Sequence, residues 1–346
     1  MLLGTIITGG LQIRPPRRSL DARAPQAHLI SYNPGVPTLH DIWPDLEEAS
    51  RGQGVIAIGA SGIGDDHGEV FERWLDRGHD ATMGWLRKNR EVRRHPSARF
   101  PWARSAVSIL VPYSNERPTA DQSLASRIAR YAQGDDYHEV VDEILRMIEK
   151  RVAELAPEST TRRYVDTGPL SDRALASAGG LGWIGKNSML IHPEHGSWTF
   201  IGILLTSLEN DTRQESVADM CGACTRCVEA CPTNAILPDR TGDSNLCISY
   251  LTIEHRGPLP EDLRHRLEGN VFGCDICQEV CPWNESAPAG LEQFAARSEY
   301  IGRPISALIS MPQSEFSTVF RKSAVKRTRL EGMVRNAKAA IGDRPK

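Results

Sequence analysis

Between residues 40 and 210 the apolar positions follow two different periods. Apolar and β-branched runs bounded by turn residues predict strands at "GVIAIGAS" (54–61), "SAVSILVPYS" (105–114), "TTRRYVDTG" (160–168), "SMLIHP" (188–193) and "SWTFIGILLTS" (197–207). Helical segments lie between them. The clearest runs from about Tyr137 to Leu155, where Val140, Val141, Ile144, Leu145, Ile148, Val152 and Leu155 form one apolar stripe. Such a stripe predicts packing against a core. A second helix is predicted from Leu170, ended by Gly179-Gly180. On these residues alone, Asp166 reads as the cap of a helix starting near Pro169.

Two stretches break the pattern. "GGLGWIGKNS" (179–188) holds four glycines but fits neither a phosphate-binding loop nor a dinucleotide fingerprint. It reads as a tight loop whose backbone lies against something flat, a cofactor. "FRKSAVKRTRLEGMVRNAKAAIG" (320–342) carries Arg321, Lys322, Lys326, Arg327, Arg329, Arg335 and Lys338 against a single acid, Glu331. Most such runs are solvated helix faces, yet a local excess of this kind also suits a phosphate backbone. The chain therefore divides into a poorly ordered Pro- and Arg-rich extension (1–36), a mixed strand–helix domain (37–210), a cysteine-rich domain (211–290) and a helical basic C-terminal tail (291–346). The fold class is α+β.

Composition changes this picture little. Of 346 residues, 40% are hydrophobic and 25% charged, and the net charge of −3 selects no partner. No apolar run approaches the roughly 20 residues of a membrane span. The N-terminus lacks the features of a signal peptide, and Arg17-Arg18 is followed by no apolar segment. The expected location is the cytoplasm, with no membrane partner.

Cysteine placement is the strongest chemical signal. All eight cysteines fall between Cys221 and Cys281. Clustering of this kind predicts metal binding, since a disulfide scaffold would spread its thiols. Zinc ribbons use two separated Cys-x2-Cys pairs. Here Cys221, Cys224, Cys227 and Cys231-Pro232 instead follow the C-x2-C-x2-C-x3-C-P run of bacterial ferredoxins, in which the fourth cysteine serves the other cluster. The second run, Cys274, Cys277 and Cys281-Pro282, lacks one thiol, which Cys247 can supply from "NLCISYLTIE". The crossed assignment gives one 4Fe–4S cluster Cys221, Cys224, Cys227 and Cys281. The other receives Cys231, Cys247, Cys274 and Cys277. Two clusters on one small fold make an electron wire.

Taken together, "YAQGDDYH", "VDTGPLSDRALASAGGLGWIGKNSMLI", "GSWTFIGILLT", the two cysteine runs, "CISYLTIEHRGPLPEDLR" and the basic tail resemble the epoxyqueuosine reductase family. The likeness covers roughly residues 40–342. It implies a mixed α/β cobalamin-binding domain of reductive-dehalogenase and nitroreductase type, with a base-off cobalamin between that domain and the clusters. Cluster electrons would bring the cobalt to its lowest state. The implied substrate is tRNA bearing epoxyqueuosine at the wobble position, and the product is queuosine; an external low-potential donor supplies electrons. Opening the epoxide leaves a basic alkoxide unless an acid protonates it. The family pattern puts that role on Asp166, with Asp172 the nearest rival. At an ordinary pKa of about 3.9 an aspartate is ionised, so Asp166 must be held neutral by burial or by an anionic neighbour. The resemblance also implies cobalamin contacts at Arg93, Ala129, Asp166, Leu190, Ile201, Ser249, Asp275 and Ile276, with Tyr137 and His138 nearby. His255, Arg256, Arg321, Lys322, Lys326, Arg327 and Arg329 are candidates for the tRNA side. A monomer would suffice, because one chain fills both clusters.

Two other functions use the same parts. A cobalamin-dependent reductive dehalogenase shares the two-cluster plan, but it has no reason for a basic tail. A non-catalytic electron-transfer subunit would explain the clusters and leave the first domain idle.

Overall fold

The computed structural model describes residues 37–63, 68–116, 123–211 and 214–342. The expectation for residues 1–36 lies outside these. Six strands are present among the described residues: β1 (Ala57–Gly62), β2 (Ser105–Pro112), β3 (Thr161–Tyr164), β4 (Trp183–Ile184), β5 (Leu190–Ile191) and β6 (Thr199–Thr206). Four form an antiparallel sheet in the order β1-β2-β6-β3, with Ile109 opposite Gly202 and Tyr164 opposite Ile203. β4 and β5 make a separate hairpin. The architecture is α+β.

Side chains alternate across a strand, so β2 and β6 each face two layers. Val107, Ile109 and Val111 join Phe200 and Leu204 in the core that also holds helices Leu39–Arg51 and Tyr137–Leu155. Ala106, Leu110, Ile203 and Leu205 face the other way, toward helix Asp172–Ala178. Both faces are covered, and every residue of β2 is buried. That is why its sequence reads as an apolar run instead of a clean alternation.

The long helix matches its sequence pattern. The Asp136 carboxylate accepts the His138 N–H at 3.2 Å and caps the first turn. Val141, Ile144, Leu145, Ile148 and Val152 are buried along one stripe, each stabilising the fold by about 1.5–3 kcal/mol. Pro157 cannot continue the helix beyond Ala156. The approach to the sheet is close: a Cβ on Gly202 would lie 2.9 Å from Val141 Cγ1.

Other segments depart from expectation. The strand predicted to reach residue 168 stops at Tyr164, because the chain turns at Asp166, where φ is +54°. Aspartate is among the few residues that tolerate this left-handed conformation. The next helix starts at Asp172 with Ser171 at its N-cap, so Asp166 caps nothing.

The basic C-terminal stretch is no loose appendage. Tyr300, Leu308, Phe316, Phe320, Val325, Met333 and Ala337 share the core of the main sheet. Helix Arg329–Ala340 also braces helix Ile248–Ile253: the buried Asn336 amide donates to Thr252 O and Val271 O, both at 2.8 Å. Phe320 is fully buried, with ring centroids 4.9 Å from Phe316 and 5.3 Å from Tyr300. Phe320→Ala is expected to cost about 3–5 kcal/mol, read as a lower urea midpoint; an unchanged midpoint would make this stretch dispensable to the core. No helix among the described residues is long and apolar enough to cross a membrane.

Candidate functional site

The thiols surround two separate cavities. Cys221, Cys224, Cys227 and Cys281 line one, together with Lys186 and Trp283. Cys231, Cys247, Cys274 and Cys277 line the other, with Thr233, Ser244 and Ile276. The last cysteine of each run thus sits in the cavity of the opposite run. No two of the eight are joined in a disulfide. Among the described residues no three His, Cys, Asp or Glu side chains converge to hold a single ion. Thiols around a space, not a point, suit a cluster with its own core of iron and sulfide.

Donors to sulfur are already in place. Trp183 Nε1–H points to Cys221 Sγ at 3.4 Å, and the Ala235 N–H to Cys231 Sγ at 3.3 Å. Such bonds favour negative charge on sulfur. Burial, then the neighbouring thiols, pushes Cys227 up to about 11, and burial raises Cys274 and Cys277 as well. Protons must therefore leave as metal binds.

The glycine-rich hairpin, expected to lie against a flat cofactor, packs along the cysteine runs. Lys186 Nζ donates to Gly222 O at 2.8 Å and Cys224 O at 2.9 Å, inside the first cysteine run. Asn187 lines both thiol cavities and donates to Cys277 O at 3.4 Å. Gly182 has φ +141°, and a Cβ there would lie 2.1 Å from Ile191 O. The hairpin is the seam between the sheet and the cysteine runs. Neither Lys186 nor Asn187 was singled out from the sequence, although both stand in the glycine stretch.

A third cavity, about 420 Å³ in volume, is lined by Asp166. Its wall includes Trp85, Arg93, Tyr131, Tyr137, His138, Asp166, Glu254 and Arg327. The turn at Asp166 carries its carboxylate out of the sheet and into this space. Tyr137 Oη–H donates to Asp166 Oδ2 at 2.5 Å, and His138 Nε2 stands 3.9 Å from the same oxygen. The Asp166 side chain keeps 28% of its surface exposed.

Burial is the largest influence on the Asp166 carboxyl and pushes its pKa up, toward the neutral form, while the Tyr137 hydroxyl, His138 and Arg173 pull the other way. The neighbouring Asp172 leans further toward the neutral form. Burial first, then the charge of Asp166, pushes it up to about 7. Asp172 is the first residue of its helix and does not line the cavity. Arg173, buried, donates to Ser188 O at 2.7 Å and interacts with Asp166, Asp172 and Cys277. It links the acid loop electrostatically to the second thiol cavity.

Arg93 is 2% exposed, and its guanidinium donates to Leu170 O and, at 3.1 Å, to Gly168 O. It props the loop that bears Asp166, one edge still facing the cavity. Of the other expected cobalamin contacts, Ala129, Leu190, Ser249 and Asp275 are buried, and Ile201 and Ile276 half-buried. None of these six lines the 420 Å³ cavity; Ile276 lines the second thiol cavity. Asp275 accepts the Arg130 N–H at 2.8 Å.

The residues present suit a flat macrocycle. Aromatic faces (Trp85, Tyr131, Tyr137) and small residues (Gly168, Ala324) share the wall. Trp85 Nε1, in the wall, has no hydrogen-bond partner among the described residues. A group rich in amides would satisfy it.

The candidate tRNA residues separate into three sets. Arg256 donates to Arg327 O at 2.9 Å, and Arg327 pairs with Glu254 at 2.7 and 3.1 Å on the cavity wall. His255, beside them, bonds Pro258 O at 2.8 Å. Lys326 and Arg329 line a different, shallow depression with Phe316. Lys322 pairs with Glu139 at 3.0 Å, and the carbonyls of Arg321 and Lys322 both accept from Arg297.

Comparison with known proteins fits this layout. Residues 93–167 match the family described as epoxyqueuosine reductase QueG, DUF1730, and residues 220–284 match the 4Fe-4S double cluster binding domain. The epoxyqueuosine reductase of Cyclobacterium marinum is 40% identical over 77% of this chain and 85% of its own length. A crystal structure of epoxyqueuosine reductase with an epoxyqueuosine-modified tRNA-Tyr stem loop superposes with a TM-score of 0.78 at 28% identity, over 88% of this chain and 81% of that one. The Bacillus subtilis epoxyqueuosine reductase, in a structure with an aspartate catalytic loop swung out of the active site, gives 0.78 at 27% identity, over 88% and 82%. With a relative this similar over most of both sequences, the chain belongs to the epoxyqueuosine reductase family.

Proposed function

We propose that this protein reduces epoxyqueuosine to queuosine at the wobble position of tRNA, with Asp166 as the acid that protonates the epoxide oxygen. The reaction takes up two electrons and two protons and releases one water. One observation carries the reading. Helix Ile248–Ile253 begins beside Cys247, which lines the second thiol cavity, and ends at Ile253 in the wall of the Asp166 cavity. Its six residues span about 9 Å at about 1.5 Å per residue. Electron source and acid are one short helix apart.

The two 4Fe–4S clusters and cobalamin, when bound, supply low-potential electrons to the epoxide carbon. Cys221, Cys224, Cys227 and Cys281 would hold one cluster, and Cys231, Cys247, Cys274 and Cys277 the other. Trp85 would meet the polar rim of cobalamin, and the aromatic wall its flat face. The chain's own residues manage the proton. Tyr137 fixes the rotation of the Asp166 carboxylate, and Arg93 props its loop from behind. Filling the cavity removes the exposure Asp166 retains, and burial is the influence that drives its carboxyl toward the neutral form. Arg327, in the cavity wall, and Arg256 bonded to its carbonyl would meet RNA phosphate, with Glu254 holding Arg327 until then. The electron donor is external, the chain acts as a monomer, and its tRNA substrate places it in the cytoplasm.

The test is direct. Anaerobically loaded protein, a low-potential one-electron reductant and tRNA carrying epoxyqueuosine are expected to yield queuosine, seen in nucleoside digests as loss of one oxygen. Unchanged epoxyqueuosine with both clusters and cobalamin in place would overturn the assignment.

A further inference from the structure

Asp136 and His138 form a pair that the proposed reaction does not yet use. The His138 Nδ1 lies 2.7 Å from Asp136 Oδ1, and the same carboxylate caps the helix through the His138 N–H. This double hold fixes the ring. Its opposite edge, Nε2, faces the Asp166 carboxylate at 3.9 Å. The Tyr137 ring stacks on the imidazole at 4.0 Å between centroids and limits its swing. The His138 side chain keeps 32% of its surface exposed, against 28% for Asp166. One face of the imidazole is thus turned to the acid while the side chain still meets water.

We propose that His138, oriented by Asp136, is the proton shuttle that recharges Asp166 between turnovers. The inference rests on the proposed role of Asp166. Once Asp166 has given its proton to the epoxide oxygen, it is a carboxylate inside a filled cavity. The His138 Nε2–H bond breaks, its electron pair stays on nitrogen, and an O–H bond forms on Asp166. The neutral imidazole then takes a proton from water. At 3.9 Å, one bridging water or a small rotation of the ring completes the path. The direction follows from solvation. Excluding water from an imidazolium–carboxylate pair penalises both charges, and the neutral pair is the product of the transfer.

Among the described residues, Asp172 holds a proton close by but does not line the cavity, and the groups that line it beside His138 are poor proton sources. Tyr137 is buried, and burial together with Asp166 raises its pKa well above that of a free phenol. Arg327 is paired to Glu254, and Arg93 is committed to backbone carbonyls.

Steady-state turnover of the loaded enzyme on epoxyqueuosine tRNA, followed from pH 6 to 9, tests the shuttle. His138→Gln is expected to lose roughly 100-fold at pH 8, within the usual range for a proton-transfer group, with smaller losses at pH 6 and partial recovery on adding imidazole. Asp136→Asn removes the charge that stabilises the imidazolium, so the alkaline limb of its profile should move to lower pH. Wild-type rates in His138→Gln, or a pH-independent loss that imidazole does not relieve, would overturn the shuttle. If His138→Gln does not fold, an unshifted profile in Asp136→Asn does so instead. Absence of turnover in the unsubstituted protein would instead overturn the proposed function, so the two failures are separable.

Discussion

Asp166→Asn is expected to keep both clusters and cobalamin and to lose roughly 100- to 10,000-fold in turnover, the usual contribution of a positioned acid. The substitution is unusually clean here. Asparagine tolerates the φ of +54° that the turn requires, where most side chains would be strained. Its amide oxygen can still accept the Tyr137 hydroxyl, so the loop has no reason to move. What vanishes is the ability to give up a proton to an alkoxide. Absorption spectra of the loaded protein check cofactor retention, and nucleoside analysis checks turnover. Near-wild-type turnover would move the acid elsewhere, and Asp172→Asn is then the next variant. The raised pKa of Asp172 makes it a proton store, but its burial behind the loop keeps it from the cavity.

The second large effect concerns the crossing of the cysteine runs. Cys231→Ser changes a residue of the first run, yet that thiol lines the cavity of Cys247, Cys274 and Cys277. The variant is expected to lose half the iron and acid-labile sulfide and all turnover. The electron paramagnetic resonance signal of its remaining reduced cluster should match that of Cys274→Ser and differ from that of Cys221→Ser. If Cys231→Ser instead matches Cys221→Ser, each run serves its own cluster, and the wire is assembled otherwise than described. A hydroxyl in place of a thiolate is a poor ligand for iron, and the Ala235 N–H that points at this sulfur would lose its anionic acceptor.

Different parts of the molecule were legible in the sequence to different degrees, for physical reasons. The cysteine groups were readable because short spacings confine each thiol to a few ångströms of its neighbours whatever the rest of the chain does. The helix Tyr137–Leu155 was readable because one face is buried along its whole length. Asp166 was ambiguous, since a cap and an acid look alike in a string of letters. The distinction lies in a backbone angle set by the sheet it leaves. The burial of Arg93 was not legible, because it depends on carbonyls in a loop more than seventy residues away. The basic C-terminal stretch was read by its charges, while Phe316, Phe320 and Met333, which tie it to the core, are spaced too irregularly among them to give one period.

Asn336 has a consequence for how the molecule comes into being. The helix that carries Cys247 toward the acid is pinned by a side chain 84 residues further along. A ribosome adding about 5–20 residues per second leaves that helix unpinned for several seconds after it emerges. Until Asn336 arrives, the carbonyls of Thr252 and Val271 lack the amide that joins them in the finished fold.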